Sequence, residues 1–216
     1  MADAGLVADW PAVVAAIVER GWARLERAAA PAFAAALEAE APDSWASLPT
    51  SEGTGFVRQG GLACHAEVTP SSRAVLHLAD AIRLGIDGAG SGLGLPPLPA
   101  FNHAEWCRAE AGAKFITPHR DPVTAGGVVA VLTIRGCCEF RVWGDEFAGT
   151  SAQAEQQPEL ATSWDTLDGD LVLLRGGWPT PSSVCPIHEA LSPPAGERIT
   201  LTLRHNVGGY GADYFA

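Results

Sequence analysis

Apolar residues near the start of the chain recur at spacings of three and four. Trp10, Val14, Ile17, Gly21 and Leu25 fall on one side of a 3.6-residue period. Asp9 stands where a helix cap belongs, and Pro11 sits in the first turn. The pattern predicts one helix running on towards Pro31, where proline breaks it. A second short helix then spans about 32–40, ahead of Pro42. From Trp45 to Val68 the signals turn to short strands separated by glycine. Ser71 or Ser72 caps a third helix whose buried face is Val75, Leu78, Ile82 and Ile86. Such stripes are scaffold that buries one face on a sheet. Residues 88–99, GAGSGLGLPPLP, read as a loop. Their glycines superficially match a phosphate-binding turn. They follow a helix, however, and no Gly-Lys-Ser/Thr closes the motif.

Beyond residue 100 the period becomes two. FNHAEWCRAEAG alternates, and GGVVAVLTIRG (126–136) is a β-branched strand. CCEFRVWG (137–144) follows at once, with Gly136 as the turn between them. Residues 145–163, polar and rich in Ala and Gln, read as a surface insertion. Asp168-Gly169-Asp170 is a turn leading into the strand Leu171–Leu174, and ERITLTLRHN (197–206) alternates over almost its whole length. Helices first and short strands afterwards predict an α+β fold, with helices packed on an antiparallel sandwich or barrel.

Composition narrows the possibilities. A chain of 216 residues, 47% hydrophobic, is long enough for one domain over 1–216 and short for two. The formal net charge is −11, and Lys114 is the only lysine. That balance opposes binding to nucleic acid or to an anionic membrane surface. No run of about 18 apolar residues offers a membrane span. The first ten residues have neither the basic start nor the apolar stretch of a signal peptide. Five cysteines, an odd number without a C-x-x-C, suit a reducing cytoplasmic setting.

The chemistry gathers in the β half. His119 and Asp121 lie two apart in TPHRDP, so an extended backbone points both to one face. His188, in CPIHEAL, supplies a second histidine further along. Two histidines and one carboxylate on a β scaffold make the facial triad of non-haem Fe(II), which leaves positions open for a bidentate cosubstrate and dioxygen. A cosubstrate such as 2-oxoglutarate has a distal carboxylate that calls for arginine. Arg198, Thr200, Thr202 and Arg204 share one face of the last strand, opposite Ile199, Leu201 and Leu203. A strand facing solvent has the same pattern. Of the remaining histidines, His65, His77, His103 and His205 show no ligand spacing. His103 and His205 adjoin segments that carry candidate site residues.

His119-x-Asp121, His188 and Arg198, with a strand ending in TLRHN, resemble the 2-oxoglutarate- and Fe(II)-dependent dioxygenase superfamily. RAEAGAKFITPHRD and DGDLVLLRG are similar to its strand entry and to its turn before the second histidine. The spacing from Arg198 to Arg204 is similar to that of AlkB-like nucleic-acid demethylases, and the ITPH and LRHN flanks to small bacterial members. The resemblance covers about residues 100–206. It implies a double-stranded β-helix there, a jelly roll of cupin type, with 1–99 as helical and short-strand support. It also implies His119, Asp121 and His188 as Fe(II) ligands, Arg198 and Arg204 as cosubstrate residues, and 2-oxoglutarate and O2 as co-reactants. The implied reaction is hydroxylation, or oxidative demethylation, of a small molecule such as an amino acid, nucleotide or natural-product intermediate. Asp121 occupies the place that halogenating members leave open for chloride. The family often has a tyrosine shortly before the glycine, where this chain has Arg108 and Ala109. Asn102 or Trp106 stands in for it if the contact exists. Asn102, Trp106, Arg141 and Trp178 are candidates for the substrate wall. The alternatives are an AlkB-like nucleic-acid demethylase and a cupin-type metal protein without oxygenase activity.

Overall fold

Asp9 starts α1 (Trp10–Arg20) by accepting a hydrogen bond from the Ala12 amide, and Gly21, at φ +87°, ends it in the left-handed conformation. The expected continuation towards Pro31 is therefore wrong. Trp22–Leu25 form a strand instead, β1. α2 (Pro31–Glu38) follows, then β2 (Ala46–Ser47) and β3 (Leu62–His65). The computed structural model describes residues 5–47, 62–65, 72–112, 116–121, 126–180 and 183–206, with backbone alone for 46–47, 62–65 and 116. The rest of the strand region expected over 45–68, together with Ser71, Lys114, Pro122 and the side chain of His65, lies outside these residues.

α3 (Arg73–Ser91) buries Val75, Leu78, Ile82 and Ile86, the expected stripe. It also takes in residues 88–91, which the glycines had marked as loop. Gly90 is buried there beside Leu95 and Trp178, so tertiary packing outweighs the weak helix propensity of glycine. Among the described residues, no helix is long and apolar enough to cross a membrane.

The remaining elements are β4 (His103–Glu110), β5 (Ile116–His119), β6 (Val128–Arg135), β7 (Cys138–Trp143), α4 (Ser151–Gln156), a 3-10 turn (Pro158–Leu160), β8 (Thr162–Thr166), β9 (Leu171–Arg175), β10 (Ile187–Ala190) and β11 (Glu197–Arg204). They build two antiparallel sheets. The larger has the order β1-β9-β6-β11-β4-β3-β2, and the smaller β5-β10-β7-β8. β6 and β7 are thus not a hairpin, because the chain changes sheets between them. Gly136, at φ +85°, makes the crossing, and a Cβ there would collide with the Glu197 carbonyl.

Alternation sorts the side chains into two cores. Val128, Ala130, Leu132, Leu171, Leu173, Ile199, Leu201 and Leu203 pack under the helices. Val129, Val172 and Leu174 point the other way, towards Phe140 and Val142 of the smaller sheet. The helices therefore cover one face of the larger sheet, and the second sheet covers the other. Residues 145–163 are more than a surface insertion. Thr150 and Gln153 form a capping box for α4, and Ala154 packs with Trp143 and Ile187 on the outer side of the smaller sheet.

Candidate metal centre

β5 and β10 run antiparallel with His119 directly opposite His188. Such partners project to the same face, and the two ring centroids lie 4.4 Å apart. On the other side of β10, Val142 is opposite His188 and belongs to the inter-sheet core. Both imidazoles accordingly face the space between the sheets, where Phe140 stacks on His188 at 6.0 Å. Asp121 follows just past the end of β5. It is 8% exposed, and its Oδ2 lies 3.5 Å from His188 Nε2.

The backbone fixes how the two rings present themselves. His119 Nδ1 donates to the Thr117 carbonyl at 2.9 Å, and His188 Nδ1 to the Pro186 carbonyl at 3.1 Å. A carbonyl only accepts, so the proton sits on Nδ1 in the neutral ring. Nε2 keeps its lone pair, as a metal-binding imidazole requires. Burial holds both rings below their ordinary pKa, His188 down to about 4 with His119 beside it adding to the shift. For Asp121 burial acts upward, but Arg204, His188 and His119 outweigh it and keep the carboxyl below its usual range. The group thus offers two neutral imidazoles and one carboxylate. Among the described residues, Asp121 Oδ2 is buried without a hydrogen-bond partner. An orphaned carboxylate oxygen facing an imidazole nitrogen fits a divalent cation between them.

Cys185 is a neighbour that the sequence reading missed. Among the described residues, the side chains whose donor atoms lie mutually within 4.8 Å are Asp121, Cys185 and His188, and His119 adjoins this set. Burial raises the Cys185 thiol well above its ordinary range. Its Sγ lies 3.9 Å from Nδ1 of His188, the nitrogen already turned to the backbone. The C-x-x-H spacing of Cys185 and His188 was the available signal.

β11 supplies the facing wall. Ile199, Leu201 and Leu203 point to the helices, so Arg198, Thr200, Thr202 and Arg204 point towards the smaller sheet. The first three are buried, at 7%, 3% and 5% exposure, which excludes the solvent-facing reading of this strand. Arg198 Nη2 donates to Thr133 Oγ1 at 3.3 Å, and its buried Nε has no hydrogen-bond partner among the described residues. Among the described residues no carboxylate pairs with it. Arg204 is different. Its Nε donates to Asp121 Oδ1 at 3.2 Å and its Nη1 to Glu105 Oε2 at 2.6 Å, and these carboxylates hold its proton more tightly despite burial. Glu105, 5% exposed, is a further residue the sequence reading missed. It shares the alternate face of β4 with His103, whose buried Nδ1 has no hydrogen-bond partner among the described residues and whose pKa is lowered by burial and by Arg204.

The expected substrate wall does not assemble. Trp106 and Trp178 lie in the core beneath the helices, and Trp178 Nε1 donates to the Pro96 carbonyl. Trp106 is thereby also removed as a stand-in for the family's tyrosine. Arg141 is on the outer face of β7, opposite in alternation to the inward Phe140 and Val142, and pairs with Glu139 and Glu189. Asn102 is exposed and clamps the Asn206 backbone, donating at 2.9 Å and accepting at 2.7 Å. His205 is taken up by the Ala100 carbonyl, and Arg120 by the Cys185 carbonyl at 2.6 Å.

No protein-family model and no curated protein matches the chain. Solved structures do match. A prolyl-4-hydroxylase from Pseudomonas putida is 21% identical with a TM-score of 0.63, over 92% of this chain and 99% of that one. A Trichoplax adhaerens prolyl hydroxylase, solved with a hypoxia-inducible-factor peptide fragment, is 12% identical with a TM-score of 0.65, over 90% and 87%. HygX from Streptomyces hygroscopicus, solved with nickel and 2-oxoglutarate, is 10% identical with a TM-score of 0.59, over 94% and 92%. At these identities the likeness is one of fold. The chain has a mixed helix and sheet architecture similar to that of 2-oxoglutarate-dependent Fe(II) oxygenases.

Proposed function

We propose that this chain is an Fe(II)- and 2-oxoglutarate-dependent oxygenase that hydroxylates, or oxidatively demethylates, a small molecule. One observation carries the reading. Arg198 is a buried guanidinium with no carboxylate partner among the described residues, on the wall facing the Asp121–His188 pair. Burying such a charge unpaired is costly, so its anion is to be sought in a ligand. The distal carboxylate of 2-oxoglutarate is that anion, taken up beside Thr133. His119, Asp121 and His188 hold the metal. Cys185 stays a protonated neighbour. The metal, 2-oxoglutarate and dioxygen together supply an oxidant able to break a substrate C–H bond, leaving succinate and carbon dioxide. The chain itself orients the ligands, binds the cosubstrate and excludes water. The two sheets form a double-stranded β-helix, the jelly roll of cupins, with 100–206 as its body and the helices as support. Cys137, Cys138 and Cys185 are free thiols, in keeping with a reducing cytoplasm. A net charge of −11 favours a small substrate over a polynucleotide.

Anaerobic addition of Fe(II) and 2-oxoglutarate tests the reading. The expected result is a weak visible metal-to-ligand charge-transfer band. Its absence from intact, iron-loaded protein would overturn the proposal. Asp121→Ala is expected to lower Fe(II) affinity by more than about tenfold and to abolish 2-oxoglutarate turnover, since even outer partners of a metal site contribute that much. Wild-type iron affinity and turnover in that variant would sink the ligand assignment.

A further inference from the structure

The geometry points to Glu105 as a positioning residue for Asp121, acting through Arg204, and so assigns Arg204 to the metal ligand instead of the cosubstrate. The inference rests on the reading of Asp121 as a ligand. An arginine beside a carboxylate tends to fork onto both oxygens. Here it does not. Arg204 Nε holds Oδ1 of Asp121 at 3.2 Å, while Oδ2 has no hydrogen-bond partner among the described residues and faces His188 at 3.5 Å. Glu105 explains the difference. In the β4–β11 register it lies opposite Thr202, diagonal to Arg204, and its Oε2 holds Nη1 at 2.6 Å. The guanidinium is planar and rigid, so anchoring it at Nη1 limits how it meets Asp121. Glu105 also balances charge. Asp121, Glu105 and Arg204 together carry one net negative charge, and without Glu105 the arginine would cancel Asp121. A buried carboxylate whose one ion-pair partner among the described residues is Arg204 is thereby explained by what it does for a neighbour.

Mn(II) binding to the metal-free full chain, read by electron paramagnetic resonance of the free ion, tests this without turnover. Glu105→Gln keeps the shape and removes the charge. It is expected to weaken Mn(II) binding at least about tenfold, the effect typical of outer partners of a metal site. In an Arg204→Gln background the same substitution is expected to change Mn(II) binding little, because its route of action is gone. Glu105→Asp keeps the charge on a shorter arm. It is expected to fall between wild type and Glu105→Gln, and it serves alone should Glu105→Gln fail to fold. Wild-type Mn(II) affinity in these Glu105 variants, or an equal loss with and without Arg204, overturns the inference and leaves the oxygenase reading standing. A wild-type chain that takes up no Mn(II) overturns both.

Discussion

Arg198 shows how one side chain can state a requirement. A guanidinium between two sheets has lost most of its water, and Thr133 is a neutral partner for one of its nitrogens. The proposed distal carboxylate would add charge-assisted hydrogen bonds of about 1.5–3 kcal/mol, so Arg198→Met should weaken 2-oxoglutarate binding about tenfold to a hundredfold. Mn(II) affinity should stay near wild type in that variant, since Arg198 pairs with none of the proposed ligands. Titration of the charge-transfer band and of Mn(II) measures the two effects separately. The spacing of His119 and Asp121 and the shared face of Arg198 and Arg204 were legible in the sequence, because close spacing and strand alternation are local. The C-x-x-H spacing of Cys185 was there to be read and was passed over, whereas Glu105 gave no such signal. Glu105 reaches its role only through the β4–β11 register, which no local pattern encodes. Trp106, Trp178 and Arg141 were misjudged as substrate wall for the converse reason. Trp106 and Arg141 alternate, but towards the helix-covered core and the outer side, and Trp178 follows β9 outside any strand with its ring in the helix-covered core.

The turn before β9 is held by one buried carboxylate. Asp170, 1% exposed, accepts from the Arg27 amide at 2.8 Å, the Leu167 amide at 3.2 Å and Arg24 Nη2 at 3.1 Å. It thereby ties the start of β9 to the end of β1. Asp170→Ala takes the acceptor from the Arg27 and Leu167 amides and one of two acceptors from Arg24 Nη2, which keeps the Asp165 carbonyl at 3.0 Å. Allowing for the partial exposure of Arg24, the expected loss is about 2–3 kcal/mol, seen in denaturant unfolding as a lower midpoint with an unchanged slope. The Asp-Gly-Asp turn was readable from its residues, and so was the buried stripe of α3. β1 and β8 were not. Each is an edge strand of four or five residues, too short to display a period. Gly21 was counted as part of a helical stripe when it is the residue that stops the helix.

The proposed ligands come from both walls of the sandwich. His119 and His188 belong to the smaller sheet and Arg198 to the larger, so metal and cosubstrate bound together would tie the two sheets. Ligands that bind only the folded chain stabilise it by mass action, about 2.7 kcal/mol at a hundredfold excess over Kd. Mn(II) with 2-oxoglutarate is therefore expected to raise the thermal unfolding midpoint, and a chelator to reverse the rise. Thermal melts without oxygen, with each component alone and with both, test this. The joint effect should exceed that of 2-oxoglutarate alone, which lacks the metal to chelate.

The alternation of β11 separates the two kinds of information. The order of residues was enough to establish that Arg198, Thr200, Thr202 and Arg204 share a face, because successive Cβ atoms on a strand point to opposite sides. It also sufficed to name candidate metal-binding residue types and to place α3 and its buried stripe ahead of the long strands. Whether that polar face met water or the interior was open, since either environment satisfies the same alternation. The answer came from long-range pairing: helices cover Ile199, Leu201 and Leu203, and a second sheet carrying His119 and His188 closes over the arginines. Periodicity is a property of neighbouring peptide units. Inside and outside are properties of what packs against them.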